Sequence, residues 1–207
     1  MKSSEETINK IEKRLKRYNL DLPDDKSERS QAAVLLPIIS LDDPCLLLTE
    51  RASHLGSHAG EVAWPGGKHD FDDEDLLMTA LRETHEEVGI APSDVRVIGE
   101  LRPFISKFGL LVTPYIGVVH SEVPLQISED EISSVFSVPL DFLLDDPRTS
   151  TNIIQRHGET HIVPVYHYDG YKIWGLTAMI LLEFMQHAMG IATAKGEMVS
   201  SPDSIIR

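Results

Sequence analysis

Apolar residues recur with a helical period in three stretches of the chain and run without interruption through several others. In residues 3–17, Ile8, Ile11 and Leu15 fall on one side of a short helix, opened by Ser3 and Glu6 as a capping box. Such a helix packs either on the body or on a second subunit of a homodimer, and core packing is the expected role. Residues 32–36 and 45–49 are continuous apolar runs joined by Asp42-Asp43-Pro44, the pattern of buried strands around a turn. Residues 61–64 predict a short strand leading into a turn at Gly66-Gly67. Beyond it, Leu77, Leu81, Thr84 and Val88 recur at i, i+4, i+7 and i+11 and predict a helix with one buried stripe. Asp72 is expected to cap its start and Gly89 to end it in the left-handed conformation.

Residues 95–101 and 110–120 read as strands, with Pro114 pointing to an edge position or a bulge in the second. Residues 135–138 read as a further strand and 140–144 as one helical turn. Residues 161–168 and 171–174 predict a hairpin around Asp169-Gly170. A closing helix spans 176–187, with Leu176, Met179, Ile180 and Phe184 inward. Strands interleaved with long helices predict an α/β fold. The expected organisation is a helix and linker over 1–30, one domain over 31–190 and a loosely held tail over 191–207.

Composition narrows the function. A chain of 207 residues, 42% hydrophobic and 25% charged, can bury one sizeable core. The net charge of −14, from 33 acids against 19 bases, argues against nucleic acid as a partner. It would also repel an anionic substrate unless local cations offset the field. Cys45 is the only cysteine and lies in an apolar run, so a buried core thiol is expected and an intrachain disulfide is excluded. There is no signal-like apolar region and no apolar run near ~18 residues, which predicts a cytoplasmic protein with no membrane partner.

The chemistry concentrates in residues 65–90, PGGKHDFDDEDLLMTALRETHEEVGI. At about 100° per residue, Glu83, Glu86 and Glu87 share the helix face away from the apolar stripe. Like charges three and four residues apart destabilise a helix, and acids near its C-terminus oppose the dipole. Arg82 is the only nearby base. Spacing leaves two readings: a solvated surface, or a face whose missing positive charge comes from divalent cations, for which clustered carboxylates suit Mg²⁺ or Mn²⁺. Rival motifs fail by position. A calcium loop begun at Asp70 would need glycine where Asp75 stands, and a zinc-protease helix begun at His85 would need histidine where Gly89 stands. His54 and His58 flank Gly56, which argues for a loop rather than a metal-binding helix.

Arg82-Glu83-Thr84-His85-Glu86-Glu87-Val88-Gly89-Ile90 resembles the second half of the box that marks Nudix hydrolases, with Glu74 at the earlier glutamate position. Lys68 stands where the box has glycine, so the turn is one residue longer than the common pattern. Leu47-Leu48-Thr49-Glu50-Arg51-Ala52 and Gly60-Glu61-Val62-Ala63-Trp64-Pro65-Gly66-Gly67 are similar to the extra motif of the coenzyme A pyrophosphatase branch. Two positions depart from that motif: Gly56 replaces an arginine and Trp64 a phenylalanine. The resemblance implies a Nudix-type α/β/α sandwich with a mixed β-sheet between helices. It also implies a metal-dependent hydrolase of a nucleoside diphosphate linked to another moiety, with coenzyme A or its acyl derivatives first and ADP-ribose, NADH or dinucleotides as alternatives. A Nudix-fold binding module without turnover is a third reading, disfavoured by the complete glutamate set. The implied metal ligands are Glu83, Glu87 and Glu86, with Glu86 also orienting the attacking water and Arg82 holding the carboxylates in register. Arg51, Gly66, Gly67 and Lys68 are the implied substrate-binding positions, and Glu131 is a further candidate ligand or base.

Overall fold

The computed structural model describes residues 4–19, 29–156 and 159–193. After helix α1 (Ser4–Leu15) come strands β1 (Gln31–Ser40), β2 (Cys45–Arg51), β3 (Val62–Ala63) and β4 (Gly66–Lys68), then helix α2 (Leu76–Val88). Strands β5 (Val95–Glu100), β6 (Phe104–Ile105), β7 (Leu111–His120) and β8 (Ile132–Pro139) follow. Three further strands, β9 (Arg148–Arg156), β10 (Glu159–Tyr168) and β11 (Tyr171–Ile173), precede helix α3 (Gly175–Glu183), which widens into a π-helical turn over Phe184–Met189.

The large sheet has the order β3-β2-β1-β7-β5, with β4 added to β1, β6 to β7 and β8 to β2. It is mixed: β1 and β7 run parallel, Val34 beside Pro114 and Leu36 beside Ile116, whereas the other pairings are antiparallel. β1 reads as an unbroken apolar run because both of its faces are covered. Ala33 and Leu35 meet Ala80 and Leu81 of α2 on one side. Leu36 and Ile38 join Ile8, Ile11 and Leu15 of α1 and Phe184 and Met185 on the other. This is the α/β sandwich, with helices on both faces of a mixed sheet. α1 packs on the body, with Ile11 only 1% exposed. β9, β10 and β11 form a separate three-stranded antiparallel sheet whose Asp169-Gly170 turn has positive φ at both residues, as the hairpin signal requires. Cys45 is buried, and desolvation pushes its thiol pKa up.

Several expectations need correction. Gly66 and Gly67 are not a turn; they pair with Val34 and Ala33 as part of β4. Asp72 does not cap α2. That position belongs to Asp75, whose backbone is extended and whose carboxylate accepts from the Met78 N–H at 2.8 Å, so the helix starts at Leu76. Gly89 does end it, at φ +78°. Pro114 lies in an interior strand. Its carbonyl accepts from Leu101 N–H, so its missing donor faces the gap between β5 and β6 where no ladder bond is required. β9 was not foreseen, since its sequence TSTNIIQ lacks a one-sided apolar alternation. Ser3, most of the linker and most of the tail lie outside the described residues.

Candidate active site

β4 is what makes the site. By lying along the start of β1 it brings two glycines against the C-terminal half of α2. A Cβ on Gly67 would sit 2.3 Å from the carboxyl carbon of Glu83. Gly66 donates its N–H to Oε2 of Glu87 at 3.1 Å. At φ +149°, with an added Cβ 2.3 Å from the Ala33 carbonyl, Gly66 also occupies a conformation and a space that only glycine fits. The glycines thus admit the carboxylates of α2 themselves, a closer approach than the sequence suggests.

The three glutamates are in different surroundings. Glu87 is only 2% exposed. Burial pushes its carboxyl pKa up to about 8; the Gly66 N–H and Arg51 work against that rise, and the like charges of Glu83 and Glu131 add to it. The Arg51 guanidinium reaches Glu87 at 3.6 Å. Glu83 is partly buried, and desolvation raises its pKa although Arg82 lies 3.0 Å away. Glu86 sits at the rim, half-exposed, with Oε2 3.1 Å from Arg82. The structure therefore draws Glu83 and Glu87 under β4 and leaves Glu86 facing solvent beside them. Glu131 is near enough for its charge to act on both of these carboxylates.

Arg82 is pinned rather than loose. Its Nε and Nη2 donate to the two oxygens of Asp73 at 2.8 and 2.9 Å, the planar bidentate arrangement that guanidinium favours. The Asp73 side chain is only 5% exposed and is further held by the Asp70 N–H at 3.0 Å and the Thr79 hydroxyl at 2.8 Å. Those donors, Arg82 first, keep its carboxyl well below the usual carboxylate range. Arg82 was expected to bind the glutamates in register. Its Nη1 lies 3.0 Å from Glu83 and 3.1 Å from Glu86, whereas its bidentate partner is Asp73. Sequence spacing missed Asp73 because it lies in the loop before α2, one acid among several, where helical periodicity carries no information. Its signal was the nine-residue interval back from Arg82 within an acidic run next to a helix start.

Lys68 is exposed at the end of β4, its carbonyl accepting from Arg82 Nη2 at 3.4 Å. Nε of Arg51 is buried with no hydrogen-bond partner among the described residues. An orphaned guanidinium donor of this kind fits an anionic oxygen arriving with a ligand. His54 and His58 lie in a loop, as expected, and bond to the Asp130 carbonyl and to Glu61.

Among the described residues, no three acidic, histidine or cysteine side chains close around a cation by themselves. Magnesium is commonly held by one or two carboxylates plus substrate phosphates and water rather than by an all-protein cage. Glu87, buried, and Glu83, half-buried, are carboxylates whose protein partners do not offset their desolvation, and they fit such a donor set.

The chain belongs to the Nudix hydrolase family: residues 29–157 match the NUDIX domain. It is accordingly an enzyme acting on phosphoanhydride bonds, with nucleoside-diphosphate-linked compounds as its substrate class. It is 42% identical over 183 residues to "Uncharacterized Nudix hydrolase NudL" of Salmonella newport, covering 88% of this chain and 95% of that protein. The protein of the same description from Yersinia pestis is 46% identical over 156 residues, covering 75% and 78%. Among solved structures, a C. elegans Ap4A hydrolase binary complex aligns with a TM-score of 0.46 at 21% identity, over 56% of this chain and 84% of that one. The NUDIX domain of Shewanella oneidensis NrtR complexed with ADP ribose aligns at 0.46 and 22% identity, over 64% and 85%. No helix among the described residues is long and apolar enough to cross a membrane.

Proposed function

We propose that this protein is a cytoplasmic, Mg²⁺- or Mn²⁺-dependent hydrolase that cleaves the pyrophosphate of coenzyme A or its acyl derivatives to phosphopantetheine and 3′,5′-ADP. The observation that carries the metal-dependent part is the buried Glu87 and the half-buried Glu83 drawn against the Gly66-Gly67 backbone, where nearby guanidinium groups do not offset their desolvation. A divalent cation bound there supplies charge neutralisation for the pyrophosphate and a more acidic water. Arg51 offers its orphaned Nε to a phosphate oxygen, and Lys68 offers a second cation at the end of β4. Arg82, locked by Asp73, orients Glu83 and Glu86. Glu86, at the open rim, is placed to orient the attacking water.

Support for coenzyme A comes from residues 47–52 and 60–67. Its two departures from the branch motif are both accommodated. Trp64 is buried, and its indole N–H donates to the Thr177 carbonyl at 3.1 Å, so the larger ring finds the partner it needs. A Cβ at Gly56 would meet nothing within 4 Å, so this loop has room for a side chain it does not carry.

The test is turnover of coenzyme A, acyl-coenzyme A, NADH, ADP-ribose and a dinucleotide with Mg²⁺ or Mn²⁺, beside Glu86→Gln and Glu87→Gln. Coenzyme A is expected to give the highest kcat/KM, and each variant to lose on the order of 10²-fold or more, since metal-borne charge stabilisation is worth several kcal/mol. Preference for another diphosphate overturns the substrate. Full activity in both variants overturns the ligand assignment, and no turnover of any diphosphate favours a binding module.

A further inference from the structure

At the end of the large sheet where Arg51 of β2 reaches Glu87 of α2, two loops meet beside the site. Residues 52–60 leave β2 at Arg51 and fold back onto it, Gly60 N–H donating to the Arg51 carbonyl at 3.0 Å. Residues 106–110 turn from β6 into β7 at the same end, where Leu111 N–H donates to Ser30 and His69 N–H, just past β4, to Gln31. The loops touch through two rings. His58 and Phe108 lie edge to face, with centroids 5.5 Å apart and planes at 84°.

Neither ring is placed casually. His58 adopts φ +55°, a conformation a residue with a side chain rarely takes, and its Nδ1 is tied to Glu61. Phe108 is 73% exposed although its edge contact is fixed. The Lys107 ammonium stands over one face of the Phe108 ring, 5.1 Å from its centre, which leaves the other face for a stacking partner, and the Arg29 guanidinium lies beside Gly109. A single exposed apolar side chain is ordinary. A ring braced by a strained histidine, bordered by cations and set beside a phosphate-handling site has the makeup of a stacking platform. An aliphatic chain would call for an apolar groove, whereas the cationic border matches an aromatic base carrying phosphates.

We infer that Phe108, braced by His58, stacks on the nucleobase of the diphosphate substrate and so sets specificity for the nucleotide half. This rests on the hydrolase reading above. The base lies on the ring face left open to solvent, while the pyrophosphate reaches inward towards Arg51 and Glu87.

The experiment is calorimetric binding of adenosine 3′,5′-bisphosphate and of inorganic pyrophosphate, each with Mg²⁺, to the full-length protein and to Phe108→Ala and Phe108→Trp. Phe108→Ala is expected to weaken the nucleotide on the order of tenfold or more while pyrophosphate binding changes by less than about twofold. Phe108→Trp, which keeps an aromatic face, is expected to retain nucleotide affinity. Unchanged nucleotide binding in Phe108→Ala, or equal weakening of both ligands, overturns the platform. Pyrophosphate binding without any nucleotide binding by the unaltered protein also overturns it while leaving the hydrolase reading intact. Binding of neither ligand overturns both.

Discussion

Asp73 reaches the glutamates of α2 through Arg82. It fixes Arg82 from below by two hydrogen bonds, and Arg82 in turn contacts Glu83 and Glu86. Because Arg82 holds the Asp73 carboxyl ionised far into acid, the contact stabilises the fold above the ordinary aspartate pKa of about 4 and is lost as pH falls below it. Asp73→Asn is therefore expected to cost about 1.5–3 kcal/mol at pH 7, the range for hydrogen bonds to charged groups. The difference from the unaltered protein should shrink as pH falls below about 4. Urea unfolding at pH 7 and pH 3 checks this, and a deficit that stays constant across that range would mean the pair does not form. Glu87 presents the opposite case, a carboxyl whose burial opposes ionisation and whose charge calls for a counterion.

At the scale of elements, the short strand β4 and the helix α2 divide the work of the two glycines. An added Cβ on Gly66 meets backbone, the Ala33 carbonyl and Val34 Cα, at a φ that side chains avoid. On Gly67 the three nearest atoms it meets all belong to the movable end of Glu83. Gly66→Ala is thus expected to destabilise the protein by about 2–4 kcal/mol. Gly67→Ala is expected to fold within about 1 kcal/mol of the original and to lose on the order of tenfold or more in kcat/KM by displacing Glu83. Thermal unfolding beside kinetics separates the two; similar effects from both substitutions would remove the distinction.

What could be read from sequence follows the same division. The stripe of α2 and its Gly89 stop were legible because helical period and glycine conformation are local properties, and so was the Asp169-Gly170 hairpin. The carboxylate face was legible for the same reason. The pairing of β4 with β1, the burial that separates Glu87 from Glu86 and the hold of Asp73 on Arg82 all depend on contacts distant in sequence. No spacing rule carries them.

In the whole molecule, the sheet holds α2 on one face and a layer of α1, α3 and the π-helical turn on the other. That second layer reaches beyond the 29–157 match, since Ile8, Ile11 and Leu15 sit in the largest apolar cluster with Phe184 and Met185. A hydrogen-bonded group binds its parts: Tyr18 donates to Glu183, and Arg102 pairs with the same carboxylate at 3.0 Å. Ile11→Ala should therefore cost about 2–4 kcal/mol, as for a core residue. A change below about 0.5 kcal/mol in chemical denaturation, the range of surface substitutions, would show that the helix is peripheral.

The same architecture places a −14 protein around an anionic substrate, and the account depends on a cation between them. The most direct measurement is Mn²⁺ binding in the presence of inorganic pyrophosphate, followed by the electron paramagnetic resonance of the free ion, in the unaltered protein, Glu83→Gln and Glu87→Gln, with circular dichroism to verify folding. The expected result is saturable binding that weakens on the order of tenfold or more in each folded variant, because each removes a charged oxygen ligand. Equal Mn²⁺ affinity in all three proteins would contradict the assignment of these carboxylates to the metal.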